Sequence, residues 1–298
     1  MQGLIIINGY PHGEKFYRQA NRSAEELRLF GVETDVCRNG EITAAIHSTG
    51  DVTALTGKNY DFAVYLDKDK YLGRMLEKTG LRLFNSAAAV ETCDDKMTTY
   101  LALQGAGVPL VKSIPAPLCY TPNAKVAESF LQTVAKQLEF PLVMKQSYGS
   151  FGAGVQLVHD MSELIKVEQE NLYRPHFYQK FIAEASGRDI RVIVIGGKTA
   201  AAMERVATNG EFRSNIELGG RGEKIEISPE IAALAERAAQ TLGLDYCGVD
   251  VLETKDGGVI CEVNSNAFFE GLEKTTGINV AKKYAEYIVE RAKDKKKP

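Results

Sequence analysis

Residues 141–158 read Pro141-Leu-Val-Met-Lys145-Gln-Ser147-Tyr-Gly149-Ser150-Phe-Gly152-Ala-Gly154-Val155-Gln-Leu-Val158. An apolar strand carrying a lysine runs into a loop with three glycines and two serines, and a second apolar strand follows at once. Backbone N–H groups in such a loop can approach phosphate oxygens closely, because glycine places no side chain in the way. A Walker loop needs Gly-Lys-Ser/Thr and then a helix, whereas Gly154-Val155-Gln156 leads into a strand. The stretch therefore predicts a hairpin flap over phosphates, with Lys145 supplying a cation from the strand before it. Read alone, a glycine-rich hairpin is more often a plain turn. Its meaning depends on what the rest of the chain sets beside it.

Two later strands carry the strongest such partner. Cys247-Gly-Val-Asp250-Val-Leu252 holds an acid within an apolar run, and Gly258-Val-Ile-Cys-Glu262-Val-Asn264-Ser-Asn266 follows after a Lys255–Gly258 turn. Strand side chains alternate, so Glu262 and Asn264 share one face and Val263 takes the other. Pairing of the two strands brings Asp250 alongside that face. Two carboxylates and an amide oxygen form a hard, all-oxygen set of the kind Mg²⁺ prefers, completed by phosphates and water. The bland alternative is a strand pair exposing polar residues to solvent. Asp95-Lys96, at the start of a helix predicted over Asp94–Gly105, is by itself an ordinary surface pair.

The first 85 residues alternate strand and helix: strands at Gly3–Asn8, Val32–Arg38, Asp61–Leu66 and Leu81–Asn85, helices at Glu14–Phe30 and Asp69–Thr79. Such alternation predicts a small parallel sheet, Rossmann-like in shape. The first strand runs into Asn-Gly-Tyr-Pro-His-Gly, so the dinucleotide fingerprint is absent. From Ser86 onward consecutive strand pairs dominate: 141–158, then 176–183, 189–196 and 198–206, then 246–254 and 258–264. Helices are expected near Lys125–Leu138, 229–242 and 278–293. The fold class is α/β followed by α+β with antiparallel sheets.

Composition narrows the function classes. The chain has 298 residues, enough for about two domains, with 44% hydrophobic and 25% charged residues. No apolar run approaches the ~18 residues of a membrane helix. Met1 leads straight into an apolar strand with no basic leader, so no signal peptide is expected. The net charge is −3. The last eight residues hold Arg291, Lys293, Lys295, Lys296 and Lys297 against Asp294, a net +4, so the body carries −7. That acidic body argues against nucleic-acid binding. The tail reads as a solvated helix end or an interaction segment. Cysteines 37, 93, 119, 247 and 261 are scattered without a CxxC, which reads as buried free thiols in a reducing cytoplasm. Four scattered histidines form no metal-binding pair.

Taken in order, these pieces resemble the ATP-grasp superfamily, and more closely its RimK-like carboxylate–amine ligases, over about residues 85–291. The motifs stand as Asn85-Ser86, Asp95-Lys96, Lys145 with the 147–155 loop, Gln179-Lys-Phe-Ile182, Gly187-Arg-Asp189-Ile-Arg191 and Met203-Glu-Arg205. Phe212-Arg-Ser-Asn215 with Gly219-Gly220, Gly248-Val-Asp250 and Glu262-Val-Asn264-Ser265 complete them. The resemblance implies an ATP-grasp fold: a pre-ATP-grasp α/β domain over 1–85, then an ATP-grasp unit over 86–298. That unit would divide into a lid at about 100–178 and a base at about 179–291, with ATP between two antiparallel sheets. It implies that Lys96, Lys145, Ser150 and Gly152 meet ATP phosphates, that Gln179, Lys180, Phe181 and Ile182 flank adenine, and that Asp189 holds the ribose. Position 180 is Lys where the family often has Glu, which a backbone contact tolerates. Asp250, Glu262 and Asn264 would bind Mg²⁺, with two ions expected and Mn²⁺ as a substitute. Arg205, Arg191, Asn215, Arg213 and Ser214 would face the γ-phosphate and the acyl phosphate.

The implied reaction phosphorylates a carboxylate with ATP, after which an amine displaces phosphate and leaves an amide. The substrates implied are a small-molecule or peptide carboxylate and amine, without nucleic acid or membrane; assembly with further copies of the chain stays open. After Ser265 the family commonly continues Ser/Ala-Pro-Gly, whereas this chain reads Asn266-Ala-Phe268-Phe269-Glu270-Gly. Those residues are expected at the acceptor site and separate this chain from simple glutamate specificity. A D-alanine–D-alanine-type ligase and a non-catalytic nucleotide-binding scaffold are the rival readings. The Arg-Ser-Asn and Glu273-Lys-Thr-Thr-Gly277 stretches oppose the first, and retention of the metal ligands and both lysines opposes the second.

Overall fold

The computed structural model describes residues 1–11, 13–208 and 210–294. Lys295, Lys296 and Lys297 of the basic tail lie outside the described residues. The N-terminal elements are β1 (Gln2–Ile7), α1 (Lys15–Leu29), β2 (Glu33–Arg38), β3 (Thr43–Ile46), β4 (Val52–Leu55), β5 (Phe62–Leu66), α2 (Lys70–Lys78) and β6 (Arg82–Phe84). β1 and β5 are unbroken apolar runs, buried along nearly their whole length, as parallel strands covered on both faces require. The sheet runs β2-β1-β5-β6 and every pair in it is parallel. β3 and β4 form a separate antiparallel hairpin that the hydrophobic pattern does not disclose.

The remaining elements are α3 (Ala87–Asp94), α4 (Lys96–Leu103), β7 (Ser113–Pro115), α5 (Glu128–Leu138), β8 (Leu142–Gln146), β9 (Val155–Val158), α6 (Met161–Asn171) and β10 (His176–Lys180). Then follow β11 (Arg188–Ile195), β12 (Lys198–Val206), β13 (Arg221–Lys224), α7 (Pro229–Thr241), β14 (Tyr246–Thr254), β15 (Gly257–Asn264), α8 (Glu270–Thr276) and α9 (Val280–Asp294). They build two antiparallel sheets, β7-β10-β8-β9 and β13-β12-β11-β14-β15. β10 runs through residues 178–179 and belongs wholly to the four-stranded sheet.

The helix predicted over Asp94–Gly105 is α4, and α3, ending at Asp94 just before it, went unread. Asp95 turns extended between them, and its carboxylate accepts from the Met97 and Thr98 N–H groups as the cap of α4. α6 went unread although Asp160, three residues before Glu163, caps it. All five cysteines are free, but only Cys93 and Cys247 are buried, so the reading of five buried thiols is corrected.

One apolar core joins the residues before position 85 to those after it. Ile5, Ile7, Phe62 and Phe84 pack with Ile193, Tyr246, Tyr284 and Ile288 in a single cluster. Asn85, 1% exposed, sews the seam. Its Nδ2 donates to the Tyr246 and Ser265 carbonyls at 2.8 Å each, and its Oδ1 accepts from the Tyr246 N–H at 2.9 Å. Asn85→Ala would leave three buried backbone groups without partners. We expect it to lower unfolding free energy by about 3 kcal/mol, read as a fall in the urea midpoint.

Candidate active site

The α4 cap explains why Asp95 precedes Lys96. With Asp95 holding the helix start, the Lys96 N–H donates to the Ser147 carbonyl at 3.0 Å and its Nζ to the Gly149 carbonyl at 2.9 Å. Lys145, on β8, donates from Nζ to Cys261 Sγ at 3.3 Å. Both ammonium groups are buried at the glycine loop. Burial pushes the Cys261 thiol up, with Lys145 opposing. In the loop, Gly152 sits at φ +74°, and a Cβ there would stand 3.1 Å from Asn215 Oδ1. Only glycine allows that approach.

A cavity of about 110 Å³ opens beside the loop. Lys96, Lys145, Ser150 and Gly152 line it, together with Asp189 and the runs 179–182 and 213–215. The cluster expected from sequence is therefore assembled, with differences in detail. The Gln179 side chain is buried in the sheet, donating to Tyr100 Oη and Ser113 Oγ at 3.0 Å each. The Lys180 ammonium turns away to Glu139 at 3.8 Å. Phe181 packs edge-on against Phe212. Arg213 donates to the Gly152 carbonyl at 2.9 Å, tying the flap to the loop after β12.

Strand register builds the charged floor. Asp189 faces Arg205 across β11–β12, Arg191 faces Asp250 across β11–β14, and Asp250 faces Glu262 across β14–β15. Arg205 donates to both Asp189 oxygens, at 2.7 and 2.5 Å, and reaches Asp250 Oδ2 at 2.9 Å. Arg191 donates to both Asp250 oxygens, one of them at 2.7 Å. Burial alone would raise the Asp250 carboxyl; Arg191 and Arg205 overcome it and hold the group below the usual range. Burial likewise works against the Arg205 charge, and Asp250 and Asp189 more than restore it. Lys96 Nζ lies 3.6 Å from Glu262.

A second cavity of about 300 Å³ adjoins the first. The two share Ser150, Phe151, Arg205, Asn215, Asp250 and Glu262 as a common wall. Arg191 and Asn264 line the second cavity only. Of the residues expected at an acceptor site, Asn266, Ala267, Phe268 and Gly271 line it, with Phe268 edge-on to Phe16. Phe269 is instead buried in the core against Tyr246, and Glu270 pairs outward with Arg18 and Lys274. Sequence reasoning missed Asn8, Phe16, Asp67 and Lys68, which the N-terminal elements contribute. A signal existed: Asn8 and Asp67 directly follow neighbouring parallel strands, where open α/β sheets bind ligands.

The oxygens available fit Mg²⁺. Asp250, Glu262 and Asn264 sit on paired strands and line one cavity with carboxylate and amide oxygens. Among the described residues no group of three or more His, Cys, Asp or Glu gathers around a metal position. The chain thus offers a partial shell that phosphate and water would complete.

The sequence model of the RimK-like ATP-grasp domain matches residues 94–288. This chain belongs to the RimK-like ATP-grasp family. It is 37% identical over 231 residues to human beta-citrylglutamate synthase B, covering 75% of this chain and 57% of that protein. The chain thus spans little more than half the length of that relative. It is 35% identical over 223 residues to a probable alpha-L-glutamate ligase of Maridesulfovibrio salexigens, covering 74% of this chain and 71% of that one. Its fold is the ATP-grasp fold. The RimK domain ATP-grasp protein of Sphaerobacter thermophilus superposes with TM-score 0.70 at 20% identity, over 95% of this chain and 98% of that one. The ATP-grasp ligase PsnB, complexed with minimal precursor, Mg and ADP, gives 0.70 at 18%, over 98% of each chain. D-alanine–D-alanine ligase of Bacillus anthracis, complexed with ATP, gives 0.72 at 19%, over 98% and 97%. Identities this low show a family fold and leave the substrate open.

The flap tie is testable through Glu211, the partner of Arg213. Two-point hydrogen bonding from Arg213 holds the Glu211 carboxyl at about 2, against 4.5 for an unperturbed glutamate. A depressed carboxylate stabilises the fold above its ordinary range and loses that contribution as pH falls through the lowered value. An NMR titration should find the Glu211 midpoint at about 2, moving up to the ordinary range in Arg213→Ala.

Proposed function

We propose that this chain is an ATP- and Mg²⁺-dependent carboxylate–amine ligase that proceeds through an acyl phosphate. The observation that carries the reading is the shared wall. A cavity ringed by buried lysines and a glycine flap meets a second cavity at Arg205, Asn215, Asp250 and Glu262. A phosphoryl group leaving a nucleotide in the first cavity reaches a carboxylate in the second by crossing that wall. No protein nucleophile is needed.

Each residue's task follows from its place. Lys96 and Lys145 neutralise phosphate oxygens, while Ser150, Gly152 and the loop N–H groups cover them. The chain leaves its sheet after Lys180, so backbone at 181–182 is free to edge the adenine beside Phe181 and Ile182. Asp189 reaches the ribose while retaining Arg205. Arg213 and Ser214 support the flap side, and Arg205, Arg191 and Asn215 stabilise charge on the transferring group. Asp250, Glu262 and Asn264 hold Mg²⁺, two ions in our reading with Mn²⁺ as a substitute. Bound there, the metal supplies Lewis-acid neutralisation of the phosphoryl oxygens. To hold a metal, Asp250 would give up part of its pairing with Arg191 and Arg205. Flap closure through Phe151 keeps water from the acyl phosphate until an amine attacks its carbonyl carbon and phosphate leaves.

In this reading residues 1–85 complete the substrate side, about 100–178 form the lid and about 179–291 the base. Both substrates are small molecules or peptides, one carrying the carboxylate and the other the amine. Five free thiols suit a reducing cytoplasm. No helix of the described residues is long and apolar enough to cross a membrane.

Purified protein with Mg-ATP and a panel of amino acids and acidic peptides should release phosphate only with a matched pair, and mass spectrometry should find the adduct. Hydroxylamine should trap the activated acid as a hydroxamate. ATP binding without phosphate release or hydroxamate would turn the reading toward a scaffold. Glu262→Ala should lower Mg²⁺-dependent turnover at least about a hundredfold, given the several kcal/mol a metal contributes, with the melting temperature retained. Normal turnover in that variant removes the metal assignment.

A further inference from the structure

The second cavity has an end that the ligase chemistry leaves unexplained. In the N-terminal sheet β1 lies between β2 and β5, so the chain crosses to one side of β1 and then to the other. Strand order reverses there, and a crevice opens at the carboxyl ends of β1 and β5, where sheets of this kind take their ligands. Asn8 and Asp67 are the first residues beyond those two strands, and both line the cavity.

Asp67 is 3% exposed. Its Oδ1 accepts from Asn8 Nδ2 at 2.9 Å and from the Lys68 N–H at 2.7 Å, and its Oδ2 accepts from Asn39 Nδ2 at 2.7 Å. All three donors are neutral. The neighbouring cation does not turn back: Lys68 Nζ pairs with Asp94 at 2.9 Å and reaches Ser150 Oγ at 3.3 Å. Among the described residues no cation forms an ion pair with Asp67. A carboxylate accepts about four hydrogen bonds, so one direction stays open. A buried charge without a counter-charge is costly unless something neutralises it.

We propose that Asp67, oriented by Asn8 and Asn39, receives a positively charged ammonium group of the substrate. The flanking amides favour an ammonium over a metal ion. Each turns its N–H toward Asp67, Asn8 Oδ1 is engaged by the Tyr10 N–H at 2.8 Å, and Asp69, which shares the Asn39 donor at 3.0 Å, does not line the cavity, so one carboxylate rather than a cage of oxygens faces it. An ammonium needs only that carboxylate and whatever its own molecule leaves to water. The same cavity has apolar lining from Phe16, Leu66, Phe268 and Leu272 beside its polar residues. The substrate class is thus an amino acid or short peptide whose ammonium is spared from reaction. Its carboxylate faces the wall and its carbon frame lies on the aromatic pair. That placement of the carboxylate rests on the ligase reading; the ammonium site does not.

The test is calorimetric binding to the full chain loaded with Mg²⁺ and a non-hydrolysable ATP analogue. The probes are amino acids set beside their des-amino counterparts, such as glutamate beside glutarate and phenylalanine beside 3-phenylpropionate. We expect at least one ammonium-bearing probe to bind about tenfold or more tighter than its counterpart, the scale of a charge-assisted hydrogen bond. Asp67→Asn should erase that preference while analogue binding is unchanged. Equal binding within every wild-type pair overturns the proposal, as does no binding by any ammonium-bearing probe, or a preference that survives in Asp67→Asn. The wild-type comparison needs no variant, so a low melting temperature in Asp67→Asn leaves the proposal falsifiable. Hydroxamate formation, measured in parallel, judges the ligase reading separately.

Discussion

The structure depends on a ladder of alternating charge laid across one sheet. Asp189, Arg205, Asp250 and Arg191 are all nearly buried, and each answers a neighbour on the adjacent strand. Buried ions contribute little net stability compared with an apolar packing of equal volume, but breaking one pair strands the others without compensation. The ladder therefore fixes register more than it adds stability. A one-residue slip of β14 would turn Asp250 to the opposite face, among Cys247, Val249 and Val251, leaving Arg191 without Asp250 and Arg205 with Asp189 alone. Opposite this point β15 carries one extra residue, Cys261, a bulge that lets both Ile260 and Val263 face the core. Fold and site are set by the same constraint.

From that floor the rest of the site is hung. The four-stranded sheet delivers Lys145 and the glycine loop, the α4 cap delivers Lys96, and Arg213 pins the loop from the far side. Phe151 belongs to the flap yet lines both cavities, with its ring against Phe268 and the Lys15 ammonium 3.3 Å from its centroid. Movement of the flap over a nucleotide thus moves part of the substrate wall. The N-terminal elements are equally part of the machine, since the shared core and Asn85 hold their strand ends against the second cavity.

Much of this was legible in the sequence, and what was not has physical reasons. β14 and β15 announce themselves because an acid in an apolar run is rare, and period-two alternation assigns faces without knowledge of the partner. The hairpin around Gly149–Gly154 is local, so its turn chemistry is visible. Pairing of Arg191 with Asp250 is a different matter, because it depends on the register between strands some sixty positions apart. Phe268 and Phe269 look alike in sequence; which one meets the cavity is decided by a single step of chain direction before α8. Asp95 keeps α3 and α4 apart, because capping two N–H groups outweighs continuation through a residue of modest helix propensity. Asn8 and Asp67 resemble any turn residues until the strand order is known.

Two buried charges with no ionic partner among the described residues say what the ladder cannot. Lys145 is buried, and its recorded acceptor is a thiol, a weak one. On the other side Asp67 is buried among neutral donors. Folding alone gives no reason to keep either, since an uncompensated buried charge costs several kcal/mol. Each is tolerable if a ligand of opposite sign spends time beside it. Lys145 lines the first cavity, proposed for phosphates, and Asp67 the second, proposed for an ammonium. Between them the fully paired arginines and aspartates need no ligand to be stable, yet they can exchange partners when one arrives. In the proposed reading, such a site binds at its two ends and reacts at its middle.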